Sequence, residues 1–264
     1  MEEQIISNYK ITSKLGLGEM SVIYSGYNID TPDKKVVLKI FSAELLKDED
    51  LKAHFLQKVK IIKELNHPNV VPILDYILDS QTIGVVSELV LGQNLKFAVS
   101  MKDFTKDQNI DFFKQILSGV AYGHSMGLLH RSLDPSNIFF ADNYKRVEIL
   151  DFGLARIFEY DNPKKMKVAS PMFLSPEQVK QESEIDQRAD IYTLGVLMYF
   201  MLSHKTPFSS TSSYTDICEQ IVNNSIPALP RYPEINEIIT KATAKNPDNR
   251  YQTCEEFIEA IEKL

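Results

Sequence analysis

One stretch of this chain, HRSLDPSN at residues 130–137, sets a histidine, an arginine, an aspartate, an asparagine and two serines side by side, and DFG follows at 151–153. A serine hydroxyl cannot accept a proton at neutral pH, so Ser132 offers no general base. Asp134 has two roles open to it: a proton acceptor, or a loop carboxylate bonded to nearby backbone. Far upstream, GLGEMS at 16–21 carries Gly16 and Gly18. It fails the G-x-G-x-x-G pattern because Ser21 stands third, and strand follows where a dinucleotide-binding turn needs a helix. No G-x-x-x-x-G-K-[ST] occurs. In isolation the two glycines mark a hairpin turn.

The elements that must position these residues divide at about 88–95, ELVLGQNL. Before it, from about residue 8 to 90, NYKITSKLG, MSVIYSGYNI, KKVVLKIF, NVVPILDYI and TIGVVSELV carry the β-branched and aromatic runs of five strands. DEDLKAHFLQKVKIIKELN interrupts them with apolar residues at 51, 55, 59, 62 and 65, a helical period. After it, from about 95 to 264, helical patterns dominate: TKDQNIDFFKQILSGVAYGHSMG, DQRADIYTLGVLMYFMLS, SYTDICEQIVNN, PEINEIITKATAK and TCEEFIEAIEKL. Two short strand-like pieces, NIFF and RVEIL, lie among them. Strands first and helices afterwards predict an α+β protein of two lobes in one domain, 1–264.

Taken in order, LGLGEMSVIY (15–24), VVLK (36–39), HPNVV (67–71), HRSLDPSN, DFG, SPE (175–177), DIYTLG (190–195) and Arg250 in NPDNRYQ resemble the eukaryotic-type protein kinase domain, from about residue 9 to 264. The resemblance implies a kinase-like fold and ATP with Mg2+ as cofactors. It implies Asn137 and Asp151 as metal ligands. Around the nucleotide it implies Leu15, Gly16 and Gly18 of the glycine-rich loop, Ile23, Val37, the phosphate lysine Lys39, Glu88 and Val90 of the joint, and Phe139. It also implies a stack of Ile62, Ile73, His130 and Phe152 between the lobes, Asp190 as the brace of the catalytic loop, and an internal Glu177–Arg250 ion pair.

Three charged positions depart from the family's pattern. Ser132 stands where the catalytic aspartate accepts the substrate's proton, and losing a positioned base costs about 10²–10⁴ in rate. Asp134 stands where a lysine touches the transferring phosphate, placing negative charge beside the developing phosphoryl charge. Lys58 stands where a helix glutamate pairs with Lys39. Two cations about 4 Å apart repel by roughly 4 kcal/mol at an effective dielectric near 20. The helix is therefore expected either to turn Lys58 into water or to leave Lys39 paired with Asp151. Val37, Ile23 and Phe139 are as large as or larger than the family's residues around the base, while Ser87 at the gatekeeper position is small, so nucleotide binding stays open. From Leu154 to Ala169 the only hydroxyl is that of Tyr160, so the usual phosphate switch on Arg131 lacks its acceptor. Ser170 falls at the family's substrate-facing threonine.

With 264 residues, 44% hydrophobic, and a net charge of −7, the chain has ample material for a core. Its acidity argues against nucleic acid or an anionic membrane as the main partner. PKKMK (163–167) is the dense basic patch. Cys218 and Cys254 make neither a disulfide framework nor a metal set, and read as two buried core thiols in a reducing compartment. MEEQIISNYK has no apolar core, so it is not a secretory signal, and IYTLGVLMYFML is too short to span a bilayer. Cytoplasm is the expected compartment.

Together these residues read as a pseudokinase that acts through a protein partner, an active kinase among the candidates. The alternative is a slow Ser/Thr kinase, with Asp134 as a relocated base and a protein hydroxyl as substrate. A third reading is transfer of another group from ATP.

Overall fold

The computed structural model describes residues 4–18, 21–154, 171–208 and 213–264. The small lobe opens on β1 (Ile5–Ile6), β2 (Tyr9–Leu17), β3 (Ser21–Asn28) and β4 (Thr31–Phe41). Helix α1 (Glu49–Lys63) follows, then β5 (Ile73–Leu78) and β6 (Ile83–Glu88). The strands form one antiparallel sheet in the order β1-β2-β3-β4-β6-β5. This is one strand more than the five expected, because Ile5–Ile6 folds back on Tyr9 and Lys10. The strand expected from Asn69 starts late, at Ile73, because Val71 instead donates its N–H to the Ile149 carbonyl, and Pro72 has no N–H to give.

Alternation along β4 creates two environments. Val36 and Leu38 join Tyr9, Ile77 and Val86 in an outer cluster, whereas Phe41 belongs to the main core with α1. Val37 and Lys39 share the face of Phe41 and so look toward the space between the lobes. Helix α1 is started by Asp48, whose carboxylate accepts from the Leu51 N–H, and it buries Leu51, Phe55, Val59 and Ile62.

The large lobe begins with β7 (Gln93–Asn94), α2 (Leu95–Met101) and α3 (Lys106–Ser125), then β8 (Ile138–Ala141) and β9 (Arg146–Ile149). It continues through α4 (Pro176–Lys180), α5 (Arg188–Ser203), α6 (Tyr214–Asn223), α7 (Pro233–Ala242) and α8 (Cys254–Ile261). Helix α5 is buried for nearly its whole length, as its apolar run requires; α3 and α7 pack against it, and α8 packs against both of those. Among the described residues no helix is long and apolar enough to cross a membrane. The result is α+β and bilobal. Of the two thiols, Cys254 is buried, whereas Cys218 is only half-buried, on the partly open face of α6.

Candidate functional site

The β4 lysine and the DFG aspartate meet across the lobes. Lys39 Nζ lies 2.7 Å from Asp151 Oδ2, with both side chains about four-fifths covered. Of the two arrangements expected for Lys39, this is the pairing with Asp151. Strand register fixes the lysine opposite Ile23 on one side and Val85 on the other. Lys58 on α1 is half-buried and forms no ion pair among the described residues. Its helix is anchored one turn further on by Ile62, against which the backbone of Gly153 packs so closely that an added Cβ would lie 3.2 Å from Ile62 Cγ1.

The loop carrying HRSLDPSN is braced from below. Asp190, on α5 and fully buried, accepts from the backbone N–H of His130 at 2.8 Å and of Arg131 at 2.7 Å, and it contacts His124 Nε2 at 2.8 Å. Burial pushes its carboxyl up, but the hydrogen bonds it receives from the His124 ring and the His130 backbone N–H outweigh that and hold it below the usual range. These two carboxylate oxygens support a turn that L-residues adopt reluctantly, since Arg131 has φ 62°. Gln178 adds a bond from its side-chain amide to the Arg131 carbonyl, and Arg131 donates to the Ile185 carbonyl.

Within this loop the proton bookkeeping can be followed atom by atom. His130 Nε2 sits 3.0 Å from the Leu150 carbonyl, which only accepts, so Nε2 carries the ring proton. Burial lowers the imidazole's pKa, keeping the ring neutral and leaving Nδ1 as an acceptor. Ser132 Oγ lies 3.4 Å from Nδ1, so its hydrogen points inward to the histidine. That separation exceeds the about 2.6–3.2 Å of an activated nucleophile and base. Asp134 is also committed: its Oδ1 accepts from the backbone N–H of Ser136 at 2.8 Å and from the Ser136 hydroxyl at 2.5 Å. The D-P-S sequence closes an Asx turn, in which Asp134 Oδ1 bonds the backbone of its own loop.

Asn137 donates its amide to the Ser132 carbonyl at 3.0 Å, which leaves its Oδ1 for another partner. With Asp151 it makes a two-residue oxygen set of the type Mg2+ takes when phosphates and water complete its shell, so these residues fit that ion. Its chemistry there would be to neutralise phosphate charge. Among the described residues, no group of three or more His, Cys, Asp or Glu side chains could hold a metal by itself.

The residues expected around a nucleotide fall on the sheet and joint as follows. Leu15, half-exposed, and Gly16 lie on β2, and Gly16 pairs with Ile23. Gly18 receives the start of β3 so closely that a Cβ would meet Ser21 Oγ at 2.5 Å. Val37 pairs with Ser87, the residue before Glu88, while Phe139 faces partly outward from β8. Glu88 is exposed at the end of β6 and Val90 half-buried beyond it. The inter-lobe stack assembles: Ile62, Ile73, His130 and Phe152 are all buried, with the His130 and Phe152 rings edge to face at 5.0 Å. Glu177 and Arg250 pair at 2.7 and 2.8 Å in the interior.

Sequence reasoning missed Ser136, whose donors fix Asp134, although aspartate two residues before serine in a Pro-containing loop signals that turn. It also missed Gly123 on α3, which leaves room for the Phe152 ring. The expectations for Tyr160, Ser170 and the lysines of PKKMK lie outside the described residues.

A family model described as "Protein kinase domain" matches residues 9–262. Among curated proteins, the chain is 29% identical over 279 residues to the serine/threonine-protein kinase Pkn3 of Myxococcus xanthus, covering 98% of this chain and 51% of that one. It is 28% identical over 268 residues to serine/threonine-protein kinase PknB of Mycolicibacterium smegmatis, covering 97% and 42%. The chain thus spans about half or less of these relatives. Among solved structures, the Mycobacterium tuberculosis PknI kinase domain superposes with a TM-score of 0.78 at 19% identity, over 100% of this chain and 98% of that one, a likeness in fold.

Proposed function

The chain belongs to the protein kinase domain family, and within it we propose a pseudokinase: a kinase-fold module that transfers phosphate inefficiently and works by binding a protein partner, with ATP in its cleft as a ligand. The observation that carries this is the state of the proton-accepting position. Ser132 has no basicity, and its hydroxyl is turned toward a buried, neutral His130. The nearest substitute, Asp134, is held by two donors of Ser136. A general base must reach the proton it removes, and a carboxylate turned to its own loop through Oδ1 is poorly placed to do so.

The second reading, a slow Ser/Thr kinase with Asp134 as base, is favoured by the retention of Asn137 and Asp151 as an oxygen pair fit for Mg2+. Its relatives Pkn3 and PknB are named as serine/threonine-protein kinases. Calorimetric titration with ATP, followed by labelled ATP in the same preparation, separates the two. Binding without transfer to protein hydroxyls supports the pseudokinase. Transfer that vanishes in Asp134→Ala establishes the relocated base instead.

A further inference from the structure

We infer that Lys39 and Lys58 form a two-lysine clamp for a nucleoside triphosphate, taken into the cleft without a divalent cation. The inference rests on the nucleotide-binding part of the reading above. In the structure as it stands, Asp151 Oδ2 takes one of the three ammonium donors of Lys39, at 2.7 Å, which leaves the other two for a ligand. Lys58 is then a half-buried positive charge with no counter-ion among the described residues. Its place on α1 puts it one turn before Ile62 on the same helical face, and Ile62 packs on the backbone of Gly153, within DFG. The neighbouring buried positions of α1, Phe55 and Val59, are apolar and supply no acid.

Two ammonium groups repel unless an anion lies between them. The triphosphate is a ligand with enough charge to bridge both, and the four-carbon stem of Lys58 gives it reach. Among the described residues, Asp151 pairs with Lys39 and not with Lys58, and Asp134 is bonded to Ser136. A divalent cation chelated by the phosphates would offset part of the charge that the clamp reads. Affinity should therefore be equal or greater when such cations are removed.

The test is calorimetric titration of the intact chain with ATP in EDTA and in Mg2+, with adenosine as a probe lacking phosphates. The expected result is ATP binding in EDTA at least as tight as in Mg2+. In Lys58→Glu that EDTA affinity should fall by about tenfold or more, the order of one charge-assisted contact, with adenosine binding unchanged. Lys58→Met keeps an apolar stem and guards against misfolding; it should show the same direction at an unaltered melting temperature. ATP binding that requires Mg2+, or EDTA affinity indifferent to both substitutions, overturns the clamp while leaving nucleotide binding intact. If neither ATP nor adenosine binds, the nucleotide-binding reading falls together with the clamp.

Discussion

Ser132 and its neighbours set what a single substitution can do. Ser132→Asp restores a carboxylate but removes the hydroxyl contact to His130 and leaves Asp134 and Lys58 in place. Phosphotransfer by that variant is expected to stay near background in a labelled-ATP assay, and strong rescue would mean the other two positions matter little. His130 adds a pH dependence. Burial lowers its pKa from the ordinary 6.5, so the unfolded imidazole takes up a proton that the folded one refuses. Stability is thus full above about pH 6.5 and falls as pH drops through it. The half-buried His67, lowered by the same cause, acts in the same direction. Urea midpoints at pH 7.5 and 5.5 should show the loss, and His130→Phe should flatten it; an unchanged slope would refute the assignment. At this scale the chemistry was legible wherever residue type alone decides it: a serine is no base, whatever surrounds it. What was not legible is where Asp134 points, since D-P-S permits the local turn and a substrate-facing carboxylate alike.

Elements were read best where the hydrophobic period is long, as in α1, α3 and α5, and worst where tertiary pairing sets the ends. Helix α2 is only seven residues long, so the spacing of its buried Leu95, Ala98 and Val99 spans barely two turns, with Phe97 half-exposed and Met101 more so, and its main sequence signal is Asn94 accepting from the Phe97 N–H. Glycines in α3 were equally silent until the stack was seen. Gly123→Ala would gain roughly 1 kcal/mol in helix propensity, yet its Cβ would stand 2.0 Å from Phe152 Cζ. Overpacking costs about 1–3 kcal/mol, and at this separation the ring must leave its place. The variant is expected to be less stable than the parent by chemical denaturation, whereas a stabilised variant would show that Phe152 moves freely.

Across the whole molecule, the large lobe is tied by a buried ion pair with every donor occupied. Arg250 bonds Glu177 through two nitrogens and reaches the carbonyls of Ala244, Arg188 and Lys245. Removing only the acid leaves a buried, uncompensated guanidinium, a loss of about 3–5 kcal/mol. Glu177→Ala should therefore lower the melting temperature by on the order of 10 °C, and a change of a degree or two would show that water enters to replace the carboxylate. This framework was legible from the order of motifs, since SPE, DIYTLG and NPDNRYQ specify contacts that only one fold brings together. The frame is kept while the proton-accepting group is not. The decisive measurement is to incubate the purified chain with Mg2+ and labelled ATP, beside Asp151→Asn, and count phosphate on protein. The prediction is incorporation no greater than in the Asp151→Asn control; incorporation that depends on Asp151 would contradict it.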